Sequence, residues 1–244
     1  SKPSTPEGAA PTPTATPPLK LLRVEPDKGV VGDSFTITAE ELPAAKPVEF
    51  IWITWEGSYR TEAGSENVEY HDREYREQGV SLGQVTTDGQ GRATLEVTVP
   101  EDYGQVHDIY AVVAGENVAR GGFRVVRNAT IQSTRGPVGA PITITVTGLG
   151  VKPYESTAAV TYDNKYAGFA SGVTTRGTAT FHIRAAGPVG QRVVQVIGSS
   201  HASPYLNVPQ SPLADVISNF SWVYTATEDA EPPADTIEWP DASR

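Results

Sequence analysis

The side chains from which an active or metal site would be built are few. The chain carries 29 acidic residues, four histidines and no cysteine. The histidines, His71, His107, His182 and His201, form no H-E-x-x-H or other ligand-spaced pair. Without cysteine there is no thiolate nucleophile, no thiolate-bound zinc and no disulfide framework. The densest carboxylates, in the stretch after Glu56, lack the alternating order of a calcium loop. There is no G-x-S-x-G elbow and no phosphate-binding glycine loop ahead of a helix. Two carboxylates brought together by the fold are the one hydrolytic arrangement left open. The expectation is a protein that is not an enzyme, with no catalytic residue, no metal and no cofactor.

Binding chemistry is better represented. Trp52, Trp55, Tyr59, Tyr70 and Tyr75 cluster in or before an acidic stretch. Aromatic rings beside carboxylates suit a sugar or a basic partner, so Trp55, Tyr59, Tyr70 and Tyr75 are candidate ligand-binding residues. The alternative is that Trp52 is a core residue and the tyrosines pack a loop down. A second candidate lies near the end. In "ADVISNFSWVYTA", Val216, Phe220, Trp222 and Tyr224 share one alternating face. A strand so rich in rings should pair with a sheet edge, in its own chain or a neighbour's. These four residues are the candidate assembly face. Asn128-Ala129-Thr130 and Asn219-Phe220-Ser221 match the N-glycosylation pattern, which makes Asn128 and Asn219 possible acceptors.

The elements that would position these groups are strands. "DSFTITA" places Phe35 and Ile37 on one face, and "VEFIWITW" is apolar on both faces, like a central strand. Leu95, Val97 and Val99 alternate, as do Ile142, Ile144 and Val146 further on, and Ala179, Phe181 and Ile183 after them. Val, Ile and Thr with Gly, Pro or Asp-Gly punctuation every dozen residues argue for an all-β sandwich. His107 and His182 fall in such strands, where a hydrogen-bonded or surface histidine is expected. Asp88-Gly89-Gln90-Gly91 reads as a hairpin turn.

The pattern occurs twice. "KGVVGDSFTITAEELP" from Lys28 is matched by "RGPVGAPITITVTGLG" from Arg135, with Gly29 and Gly32 each 107 positions before Gly136 and Gly139. "VTTDG" and "VTTRG" follow at an offset of 88. Landmark order is kept, so one fold is duplicated in tandem, with glycines allowing positive φ in the opening turn. The shrinking offset means that the first copy holds 19 more residues, at about 58–79. A short helix is expected within them, capped by Ser65, stopped by Gly79 and supported by Glu69–Arg73 and Asp72–Arg76.

The expected organisation is a Pro/Thr-rich extended arm over 1–22, a first domain over 23–127 with the insertion, a second over 128–208, and a strand-like segment with an acidic tail over 209–244. Residues 1–18 hold six prolines, which favours an extended spacer. The chain has no methionine, even at position 1, so a processed mature form or an excised fragment is expected.

The opening of each repeat resembles that of bacterial surface immunoglobulin-like domains of the IPT/TIG type, which begin with proline, a Gly-x-x-Gly turn, a Thr/Val-alternating strand and Gly-x-Gly. The second copy keeps Gly136, Gly139, "ITITVTG" and Gly150; the first keeps Pro26, Gly29, Gly32 and "FTIT", with "AEEL" in place of the last glycines. The resemblance covers roughly 23–208 and implies two tandem immunoglobulin-like β-sandwiches with extended N- and C-terminal segments. It implies extracellular spacers, adhesins or assembly units and carries no catalytic residues.

The net charge of −10, with a pI near 4.9, argues against nucleic acid and anionic membrane as partners. No run approaches the roughly 18 apolar residues that span a bilayer. The functional expectation is a non-enzymatic extracellular or cell-surface structural protein, tied through its ends to copies of itself or to neighbouring proteins. The alternatives are a ligand-binding or adhesion module using the insertion, with carbohydrate a possible ligand, and an accessory domain pair of a larger enzyme.

Overall fold

The computed structural model describes residues 18–153, 157–172, 175–199 and 220–228. The proline tract over 1–17, His201, Val216, Asn219 and the acidic tail beyond 228 lie outside the described residues. Every regular element described is a strand.

The first unit contains β1 (Lys20–Leu21), β2 (Arg23–Glu25), β3 (Lys28–Gly29), β4 (Ser34–Ala39), β5 (Pro47–Ala63), β6 (Val68–Thr86), β7 (Ala93–Thr98), β8 (Gln105–Val113) and β9 (Glu116–Val125). One sheet runs β1-β9-β8-β5-β6, with β3 also on β9; the facing sheet is β2-β4-β7. The first strand therefore crosses between sheets: β1 and β3 lie parallel to β9, while β2 pairs with β4. "VEFIWITW" is the central strand expected of it, with Val48, Phe50 and Trp52 turned into a core shared with Phe35, Ile37 and Phe123.

The second unit contains β10 (Asn128–Ile131), β11 (Arg135–Pro137), β12 (Pro141–Thr147), β13 (Thr157–Tyr162), β14 (Lys165–Ser171), β15 (Ala179–Arg184), β16 (Gly190–Ser199) and β17 (Phe220–Thr227). Its sheets are β11-β17-β16-β13-β14 and β10-β12-β15. Strands β10 to β17 repeat β2 to β9 in the same pairing order, with no described counterpart of β1, around a separate core of Ile142, Ile144, Val146, Phe181, Val194 and Val196. The chain thus forms two tandem immunoglobulin-like sandwiches. The repeated glycines mark the equivalence. Gly32 and Gly139 both take positive φ, +94° and +90°. Gly29 packs against Phe123 of β9, and Gly136 against Tyr224 of β17, its counterpart.

Three expectations are corrected. The aromatic segment near the end is no spare docking strand. It is β17, hydrogen-bonded antiparallel to β16 from Gly190↔Ala226 to Val196↔Phe220 and parallel to β11. Tyr224 is 1% exposed, and Phe220 and Trp222 pack on the second core. The folded-back alternative holds because the second sheet needs the partner that β9 supplies in the first, so this sandwich extends past 208 to Thr227. The insertion forms no helix: β5 and β6 continue through it as one hairpin. Cross-strand charge pairs replace the expected i,i+4 pairs, and a helix this short is marginal in water. Asp88-Gly89-Gln90-Gly91 is no hairpin turn. It carries the chain from β6 in one sheet to β7 in the other, and Asp88 Oδ1 accepts the amides of Gln90 and Arg92 at 2.9 and 2.8 Å.

Candidate interaction site

The insertion becomes an arm because β5 outruns its neighbour. It pairs with β8 only over Glu49–Trp52 but stays paired with β6 as far as Ala63↔Val68. Beyond the sandwich the arm is a two-stranded ribbon whose residues from 58 to 74 are all exposed.

Residues directly opposite in an antiparallel pair share a face, and successive residues alternate. The register therefore sorts the arm into two faces. One carries Glu56↔Arg76, Ser58↔Glu74, Arg60↔Asp72 and Glu62↔Glu69. It is laced by Arg76–Glu56 at 2.6 Å, Arg60–Asp72 at 2.8 Å and His71–Glu62 at 3.4 Å. The other carries Trp55↔Glu77, Gly57↔Tyr75, Tyr59↔Arg73 and, past a register shift after Arg60, Thr61↔Tyr70. All four candidate rings, Trp55, Tyr59, Tyr70 and Tyr75, lie on this second face.

The rings are in contact with cations. Lys152 of the second sandwich places its Nζ 4.1 Å from the centre of Trp55 and 5.4 Å from that of Tyr75. Arg73 hydrogen-bonds the phenols of Tyr75 and Tyr70, which hold its guanidinium pKa above the ordinary value. Tyr59 and Tyr70 meet edge to face, 5.5 Å apart at 63°. A recess at the base is lined by Glu56, Gly57, Ser58, Glu74, Tyr75 and Arg76. Tyr59 and Tyr70 are about half exposed. They do not pack a loop down, whereas Trp52 is the buried core residue of the alternative reading.

The arm is footed on a buried polar cluster and on the domain junction. Asp102, 1% exposed, accepts from Trp52 Nε1 at 2.8 Å, Thr54 Oγ1 at 2.7 Å and the Tyr103 amide at 2.8 Å. His107 stacks on Trp52 with centroids 4.6 Å apart. Its Nδ1 lies 2.9 Å from Ile53 O and its Nε2 2.7 Å from Tyr103 O. The loop holding Asp102 also meets the second sandwich: a Cβ on Gly104 would lie 2.5 Å from Gly148 O and 2.9 Å from Gly150 O. Arg176 of the second sandwich donates to Gln78 on β6 at 3.1 Å. Sequence reasoning missed Asp102, Lys152 and Arg176, because the side chains they meet, Trp52 and Thr54, Trp55 and Tyr75, and Gln78, are all distant in the chain.

The other expected sites are dispersed. His182 sits on β15 beside Thr143 Oγ1 at 3.1 Å. Asn128 opens β10, half-buried and paired with Thr147. Among the described residues no group of three His, Asp or Glu side chains is placed to hold a metal.

No family model matches the chain, and no curated protein matches it. Solved structures with similarity include the D0–D1 domain of intimin, at 16% identity and a TM-score of 0.27, over 73% of this chain and 90% of that one. The adhesin InvE of Yersinia pseudotuberculosis is similar at 12% identity and a TM-score of 0.30, over 84% of this chain and 58% of that one. The integrin-binding protein invasin is similar at 14% identity and a TM-score of 0.28, over 85% of this chain and 39% of its own length. The chain thus spans little more than half of InvE and less than half of invasin.

Proposed function

We propose that this chain is a non-enzymatic interaction module of the extracellular or cell surface, in which two sandwiches of the IPT/TIG type present the β5–β6 arm to a partner. One observation carries the reading. A two-stranded ribbon is marginal in water on its own. Here one leaves the fold, is braced by ion pairs on one face, and collects Trp55, Tyr59, Tyr70, Arg73 and Tyr75 on the other. Tyr, Trp and Arg are the residue types that dominate protein interfaces. The test compares the full chain with a variant whose arm is cut to the tight turn joining β13 and β14. Each is applied to an array of immobilised proteins and polysaccharides. Binding that disappears with the arm is expected; equal binding by both sinks the reading.

A surface-assembly role is favoured by a different feature. Among the described residues β14 is an edge strand, and its Phe169 and Tyr166 are 60% and 46% exposed. Unpaired edges with exposed rings invite pairing between copies. Light scattering on the chain and on Phe169→Lys tests this, with self-association expected for the first and a monomer for the second. A monomer in both cases removes the assembly role.

A further inference from the structure

His107 and Asp102 are a buried base and acid in the first sandwich, each with a side chain 2% exposed. Both ring nitrogens of His107 face main-chain oxygens, Nδ1 at 2.9 Å from Ile53 O and Nε2 at 2.7 Å from Tyr103 O. A carbonyl only accepts, so each nitrogen must bring a proton. A neutral ring has one N–H, and either tautomer would set a bare lone pair against a carbonyl. Only imidazolium satisfies both contacts. The surroundings match that charge. Asp102 Oδ2 stands 3.7 Å from Nδ1, the only carboxylate within 4.0 Å of these nitrogens among the described residues. Asp102 accepts from Trp52 Nε1, Thr54 Oγ1 and the Tyr103 amide, three donors, as an ionised carboxylate does. A carboxylate buried in this way calls for a counter-charge. The ring also stacks on Trp52, with centroids 4.6 Å apart at 18°, and an indole face attracts a cation. The other neighbours bring no charge: β9 sets Phe123 opposite His107, and Tyr103 meets the ring through its carbonyl.

We propose that His107 is held as a buried imidazolium whose second proton is a switch on the joint between the arm and the second sandwich. The two oxygens that the ring ties belong to different parts of the fold. Ile53 lies on β5, two residues before Trp55, where the arm leaves the sandwich. Tyr103 lies in the loop that abuts the second unit, where a Cβ on Gly177 would lie 2.9 Å from Tyr103 Cα and 2.8 Å from Asp102 O. With both protons in place, the ring staples this loop to the foot of the arm. When rising pH removes one, a staple bond is lost and Asp102 is left buried without its counter-charge. Only the folded chain sets these acceptors around the ring, so the staple is whole at low pH and weakens as pH rises.

The test is the ring-nitrogen magnetic resonance spectrum of His107 in the isotope-labelled full chain. It is recorded first at neutral pH, where an ordinary histidine is mostly uncharged, and then as the pH is raised. The expected result at neutral pH is two matched nitrogen resonances, each split by its own proton. As the pH rises, the amides of Thr54, Trp55, Gly104 and Gly177 should shift with the ring on one titration curve. Amides of β12 and β15, in the second core, should stay in place. Asp102→Asn keeps the shape and removes the charge, so there the second proton should leave at a lower pH than in the parent. A ring with one protonated and one bare nitrogen at neutral pH overturns the proposal whole. A charged ring whose titration leaves the loop and arm-foot amides unmoved overturns the switch. An Asp102→Asn chain that titrates like the parent overturns Asp102 as the counter-charge. The parent spectra decide the first two points even if the variant fails to fold.

Discussion

The indole N–H of Trp52 donates to the carboxylate of Asp102 at 2.8 Å, inside a core where each residue is 1% exposed. The carboxylate closes the end of the first sandwich from which the arm departs, because it also accepts from Thr54 and from the Tyr103 amide. Asp102→Ala leaves three buried donors without an acceptor. A loss of about 3–5 kcal/mol in unfolding free energy is expected. Urea denaturation followed by tryptophan fluorescence measures it, and a loss below 1 kcal/mol would show that water or a neighbour replaces the carboxylate.

The second sandwich should weaken at high pH through Tyr224. Burial, reinforced by the nearby Tyr162, raises its phenol above the ordinary value of 10.0. The unfolded chain therefore ionises first as pH rises. The contribution to stability is whole below about pH 10 and is lost as pH climbs through the raised folded value. Tyr224→Phe should flatten this part of the stability–pH curve. An identical curve in the variant assigns the alkaline loss to other groups.

The two strands that carry the argument were unequally legible. The core face of β4 was readable from Phe35 and Ile37 because a period of two survives in six residues with no competing signal. The role of β17 was not, since its partner β16 ends 20 residues earlier and pairing across such a gap leaves no local mark. Sequence showed that Phe220, Trp222 and Tyr224 needed a sheet edge; only the tertiary structure says which.

The arm shows a different limit. Glu69–Arg73 and Asp72–Arg76 satisfy helical spacing, yet Arg76 pairs with Glu56 and Asp72 with Arg60 across the ribbon. Charge spacing alone does not separate the two outcomes. The bulk of β5, already committed to the core through Trp52 and Thr54, decides it by carrying the strand onward. Glu41 is a smaller case. It takes a positive φ of 57° where the second repeat has Gly148 at 64°, so the missing glycine hid an equivalent turn.

Gly104 sets how closely the two sandwiches meet. Any Cβ there would strike the carbonyls of Gly148 and Gly150, both backbone atoms that cannot turn aside. Gly104→Val should separate the units while each keeps its own core. Small-angle scattering is expected to show a larger radius of gyration, with far-ultraviolet circular dichroism unchanged. An unchanged radius means that the loop after Val99 absorbs the clash.

Lys152 fixes the foot of the arm from the other sandwich. Its ammonium lies against Trp55 and Tyr75, and the adjacent Arg176–Gln78 contact is the second tie. Removing the charge by Lys152→Ala costs about 0.5–1 kcal/mol of local stability, a two- to fivefold rise in the open population of the ribbon. The effect should be confined to the arm, because Trp55 and Tyr75, the rings that Lys152 covers, belong to neither core. Trypsin reads it directly, since Arg60, Arg73 and Arg76 are all on the ribbon. Cleavage after these arginines, identified by mass, should speed up two- to fivefold while the urea midpoint of the whole chain stays put. Lys152→Arg retains the cation and should restore the parent rate. If Lys152→Ala is cut no faster than the parent, the ring–ammonium contact does not hold the arm, and the Arg176 tie is the one to remove next.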